Sequence, residues 1–178
     1  MVTGEALTRS APRAPALPTF ARGPVLLVAA AVGVLLTAVS GRYGYFGDEL
    51  YFIAAGNHLD WGYADQPPLV PLIALAMDAI AHGSVAALRV PATLATMAGV
   101  VLTALLTREF GGGRRAQLVA AGAFAVSPTF LATGHLLATS TLDPPLWIAL
   151  TWLLVRWVRT RADGALLARA WSPRRRCR

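Results

Sequence analysis

Three stretches of this chain contain no Asp, Glu, Lys or Arg: Gly23 to Gly41, Val90 to Thr107 and Ala116 to Leu142, which are 19, 18 and 27 residues long. A helix rises about 1.5 Å per residue, so about 20 apolar residues cross a hydrocarbon layer of about 30 Å. Runs of this length are the strongest constraint on the fold, because a small soluble core cannot enclose three of them. A fourth run, Pro144 to Val155, has 12 uncharged residues and reaches a marginal span when Asp143 and Arg156 lie at opposite surfaces. The third run is longer than one crossing needs, and Ser127-Pro128 and Gly134 give it places to bend or stop. The first run reads as a span and not a cleaved leader, since further spans follow it.

Composition agrees with that reading. Apolar residues make up 56% of the 178 residues and charged residues 14%, against about 25% charged in ordinary soluble domains. All 16 basic residues are Arg. They fall in short clusters between apolar runs and not on one continuous face with interleaved aromatics, which argues against nucleic acid as a partner. One cysteine, Cys177, excludes an intrachain disulfide and a multi-Cys metal site.

The predicted fold is an all-α, polytopic transmembrane helical bundle of about four spans, at about 23–41, 89–107, 116–137 and 142–158. Arg9, Arg13 and Arg22 precede the first span, Arg108, Arg114 and Arg115 separate the second from the third, and Arg156, Arg159 and Arg161 follow the fourth. By the excess of Arg on the inner side, these segments, including the basic N-terminus 1–22, are expected to be cytoplasmic in a plasma-membrane protein. The loop 42–88 is then exterior. It sets Arg42 and His58 among five carboxylates, Asp48, Glu49, Asp60, Asp65 and Asp78. Two short juxtamembrane helices are expected in it, over Asp48 to Asn57 with Gly56-Asn57 as a stop and over Leu69 to Ala81, joined by the turn-rich DWGYADQPP.

The order of an apolar span, a D-E pair (Asp48, Glu49), D-x-P-P-L (Asp65 to Leu69), L-R-V-P (Leu88 to Pro91), G-R-R-A before the third span, and an Asp beyond it (Asp143) resembles the N-terminal part of glycosyltransferase family 39. It is similar too to the lipid A aminoarabinose transferases and protein O-mannosyltransferases of the GT-C superfamily, over residues 24–160. The resemblance implies a sugar donor carried on polyprenyl phosphate, an acceptor of unassigned identity, and inverting transfer at the outer face of the membrane. It implies Asp48 as the base; Glu49 beside it either orients it, binds acceptor or faces water, and the two acids also read as a helix N-terminal cap with its dipole-favoured neighbour. It implies Asp143 as a second acidic position that holds the acceptor or a metal.

Such a transfer needs a base near the nucleophile and donors near the leaving phosphate. Arg89 is the candidate phosphate clamp, since a guanidinium can hold two phosphate oxygens at once. His58, His135 and Asp65 are further candidates for substrate binding. Asp65 also reads as a turn former, His135 as a packing residue and Arg89 as an interfacial anchor. His58, His82 and His135 have no metal-ligand spacing, so no metal site is assigned and a divalent cation is left open. Family members run for several hundred residues, so the chain is expected to correspond to an N-terminal portion. The Arg-rich tail 161–178 reads either as a truncated or out-of-frame end or as a segment drawn to anionic lipid. A catalytically inert membrane subunit is the alternative reading.

Overall fold

The computed structural model describes residues 16–160, so the expectations for 1–15 and for the tail 161–178 lie outside the described residues. Among the described residues the chain forms seven helices and no strand. They are α1 (Arg22–Ser40), α2 (Gly47–Gly56), α3 (Leu69–Ile80), α4 (Val85–Glu109), α5 (Arg114–Ala125), α6 (Pro128–Thr133) and α7 (Thr139–Thr160).

α1 and α4 are long and apolar enough to cross a membrane. Only a third of the most apolar stretch of each is buried in the protein. Leu27 and Val34 of α1 are 72% and 71% exposed. The core helix of a soluble protein would hide such side chains, whereas a lipid-facing helix presents them. The buried stripe of α1, Val25, Ala29, Val32 and Leu36, repeats every three or four residues and packs on α4.

α4 is the central helix and touches α1, α3, α5 and α7. It begins at Val85, earlier than the expected 89, because the Ser84 hydroxyl caps it by accepting from the Ala87 N–H at 3.3 Å. L-R-V-P therefore lies inside the helix. Pro91 has no N–H to donate, and Arg89 sits in the second turn rather than at the tip. The buried face farther along is built of small residues, Ala92, Thr96, Gly99 and Ala104, which let neighbouring helices come close. At Gly99 the ring of Phe124 on α5 occupies the space a Cβ would need.

The expected third span, 116–137, is two pieces. Ser127 takes the extended backbone favoured before proline and Pro128 opens a new helix, so α5 stops after 12 residues, a rise of about 18 Å. α7 has 22 residues, a rise of about 33 Å. It starts before Asp143 and carries Pro144 and Pro145 inside its early turns. Leu146, Trp147, Leu150, Leu153, Leu154 and Val158 are exposed along it. Trp152 is partly covered, and the Arg156 guanidinium lies over its ring at 5.4 Å.

α2 and α3 form a hairpin that is tightly packed at Gly56, where a Cβ would lie 2.8 Å from the Pro71 carbonyl oxygen. Gly56→Ala is expected to destabilise the protein by about 1–3 kcal/mol, because the atom in the way is backbone. Thermal unfolding followed by tryptophan fluorescence measures this, and an unchanged midpoint would show that the hairpin is not packed this tightly. Two apolar clusters result: one joins α1, α4 and α5, and the other joins Phe52 of α2, Val70 and Ala74 of α3, and Leu88, Leu137 and Leu142.

Candidate active site

The stretch FGDELYF, residues 46–52, begins α2. Phe46 is the residue before the helix and has no side-chain acceptor, so the helix start is secured from the other direction. The Glu49 carboxylate accepts the Phe46 N–H at 2.9 Å, and the Phe46 carbonyl accepts the Glu49 N–H at 3.0 Å. Both acids lie in the first turn, where the helix dipole favours negative charge. Their environments are opposite. Asp48 is exposed, while Glu49 is 0% exposed.

Glu49 is buried because it pairs with Arg89, which is also 0% exposed. Arg89 Nε donates to Glu49 Oε1 at 2.8 Å and Nη2 to Oε2 at 2.7 Å, a two-pronged ion pair between residues 40 apart in the chain. The guanidinium also donates to the carbonyl oxygens of Ser40, at the end of α1, and of Gly44. The Tyr43 ring lies 4.3 Å from the guanidinium carbon. Leu137 N–H donates to Glu49 Oε1 at 3.3 Å. One ion pair thus ties the end of α1, the start of α2, the start of α4 and the segment before α7.

The bidentate fork proposed for phosphate is occupied by Glu49, and Arg89 does not reach solvent. Glu49 does not face water. Burial by itself raises the Glu49 pKa, but the Arg89 bond, with the N–H groups of Phe46 and Leu137, outweighs it and holds the carboxyl below its ordinary 4.5. A carboxyl whose pKa falls on folding contributes stability that is complete above its unfolded value and lost as the pH drops through the folded one. The melting temperature should therefore be insensitive to Glu49 between neutral pH and about pH 5, then fall below about 4.5. That acid-limb contribution should be missing in Glu49→Gln, and identical acid limbs in the two proteins would contradict the pairing.

The other expected residues are distributed around this pair. His135 is 4% exposed, its Nε2 meets the Tyr43 hydroxyl, and its buried Nδ1 has no hydrogen-bond partner. Asp65 is exposed and accepts from the Tyr51 hydroxyl of α2 at 2.9 Å, a bond that raises the Tyr51 pKa. Thr139 at the start of α7 donates to Gln66 Oε1 at 3.2 Å. The Leu137 and Thr139 contacts bring the first turns of α7, and with them exposed Asp143, to the end of the bundle that carries Asp48 and Asp65. His58 is not gathered there. It is exposed beyond the far end of α2, which rises about 12 Å between Asp48 and Gly56. Among the described residues no group of three or more His, Cys, Asp or Glu is arranged to hold a metal.

Sequence reasoning missed Tyr43, Tyr51, Gln66 and Thr139. The available signal was the density of tyrosines around the D-E pair, in RYGYFGDELYF. It missed Glu109 as well, which is buried at the other end of α4 and pairs with Arg159 of α7 at 2.7 Å.

The profile of the dolichyl-phosphate-mannose-protein mannosyltransferase family matches residues 65–171, more than half of the chain and beyond the end of α7. That region contains Asp65, Arg89, His135 and Asp143, while Asp48, Glu49 and His58 precede it. No curated protein and no solved structure matches the chain.

Proposed function

Because this chain belongs to the dolichyl-phosphate-mannose-protein mannosyltransferase family, a family of GT-C-type membrane glycosyltransferases, we propose that it moves a sugar from a polyprenyl-phosphate carrier to an acceptor hydroxyl, with Asp48 as base. The observation that carries the assignment of Asp48 is the contrast within the D-E pair. Glu49 is consumed by Arg89, and Asp48 projects from the same rigid turn into the open. In the transfer, the acceptor oxygen attacks the anomeric carbon and the carbon–oxygen bond to phosphate breaks, its electron pair leaving on the phosphate. Asp48 takes the acceptor's proton as its oxygen becomes nucleophilic. Attack opposite the leaving phosphate inverts the anomeric centre. Asp143 and Asp65, on exposed positions at the same end, hold acceptor or sugar hydroxyls. His135, through Tyr43, acts on the substrate only indirectly.

In this reading α1 and α4 are spans, α5 with α6 and α7 complete a four-span bundle, and α2 and α3 lie along the exterior surface where a lipid-borne donor meets a polar acceptor. The large exposed side chain of Trp61 between them supports an interfacial position. Orientation is tested with single cysteines at Asn57 and at Gly113, where an added Cβ meets nothing within 4 Å, in a Cys177→Ser background. An impermeant thiol reagent added to intact cells should label Asn57→Cys and spare Gly113→Cys, and the reverse pattern would invert the assignment.

The activity is tested by supplying membranes containing the chain with radiolabelled polyprenyl-phosphate mannose and, separately, a nucleotide mannose. Label should move to an acceptor from the lipid donor only. Transfer from neither donor would favour an inert membrane subunit.

A further inference from the structure

The end of the bundle remote from Asp48 contains a cavity of about 390 Å³, lined by residues 19–24 and by Arg114. α1 runs 19 residues from Arg22 at this end to Ser40 beside Arg89, a rise of about 27 Å, so the two ends are separate sites. The cavity wall is fixed from within. Gln117, fully buried, accepts from the Ala21 N–H at 2.9 Å and donates to the Thr19 carbonyl at 3.2 Å, and Arg108 donates to the Pro18 carbonyl at 2.9 Å. Two basic residues far apart in sequence, Arg22 and Arg114, therefore line one cleft whose backbone wall is held in place.

Among the described residues no carboxylate pairs with either of them, and neither α1 nor α5 has an acid in its first turn. Two cationic residues lining one cleft without a carboxylate partner suit an anion as its occupant. The surface of α1 immediately beyond Arg22 is apolar: Leu26, one turn along, is 54% exposed and Leu27 is 72% exposed. Cationic groups directly above an exposed apolar strip complement a molecule that is anionic at its head and greasy below it.

We propose that this cleft seats the phosphate headgroup of an anionic membrane phospholipid between Arg22 and Arg114, with its acyl chains against the apolar side chains of α1. A free phosphate ion would use the charge but leave the apolar strip without a role. The site is independent of the transfer chemistry at the other end.

The whole chain, purified in mild detergent, is given phosphatidylglycerol or phosphatidylcholine, and bound lipid is counted by native mass spectrometry. Phosphatidylglycerol should be retained in preference, and Arg22→Gln/Arg114→Gln should weaken its binding by about thirtyfold without moving the melting temperature. Arg156→Gln, which removes a guanidinium that lies over Trp152 instead, should leave binding unchanged. Equal retention of the two lipids, an equal loss in Arg156→Gln, or displacement of phosphatidylglycerol by millimolar inorganic phosphate would each overturn the proposal.

Discussion

Arg89→Met is expected to destabilise the protein by about 3–5 kcal/mol, because it leaves the Glu49 carboxylate buried without its counter-charge. Both side chains of the pair are shielded from solvent, so little screening by water reduces the effect. The loss does not stop at one ion pair. The same guanidinium holds the carbonyl oxygens of Ser40 and Gly44, which fix the turn between α1 and α2. Glu49→Gln strands the Arg89 guanidinium in the same way and should also destabilise, although an amide oxygen still accepts the Phe46 N–H and the carbonyls of Ser40 and Gly44 still hold the guanidinium. The double variant Arg89→Met/Glu49→Gln should be more stable than Arg89→Met alone, with a coupling of about 0.5–3 kcal/mol, because removing the charge removes the penalty for stranding it. Unfolding midpoints in detergent measure all three. An Arg89→Met protein as stable as wild type would show that the pair does not hold these four segments together.

Asp48→Asn should do the opposite, leaving the fold in place and abolishing the chemistry. Loss of a general base typically costs about 10²–10⁴ in rate. The loss should appear in kcat and not in KM, because the proton moves only as the transition state forms. Stability should change by no more than about 0.3–1 kcal/mol, the worth of a carboxylate at an exposed helix N-terminus. Asp143→Asn should show the converse split, raising KM for the acceptor more than it lowers kcat.

The sequence made α1 and α4 legible because unbroken apolar runs of that length have few alternatives to a long helix. Gly56-Asn57 and Ser127-Pro128 marked helix ends because backbone chemistry acts locally. The fourth expected span, 142–158, falls inside α7, and the extra turn ahead of it has no apolar signature because it holds polar Thr139, Ser140 and Thr141. The helix begins at Thr139 and carries the acid and two prolines within its early turns. Exposed Asp48 and buried Glu49 could not be told apart from composition, since adjacent acids at a helix start have the same local propensity.

What separates them is Arg89, 40 residues away, and contacts with the carbonyls of Ser40 and Gly44 that leave no trace in side-chain pattern. One clue was present. An Arg next to an apolar run, on the acid-rich side of the chain, is costly in a membrane unless it has a partner, and that side offers five carboxylates from which the sequence alone does not choose.

The division of labour within FGDELYF is tested most directly by measuring two quantities on the same preparations of Asp48→Asn and Glu49→Gln: sugar transfer from a polyprenyl-phosphate donor and the unfolding midpoint. Asp48→Asn should melt like wild type and transfer almost nothing, and Glu49→Gln should melt at a lower temperature. An Asp48→Asn protein that transfers sugar at the wild-type rate would contradict the assignment.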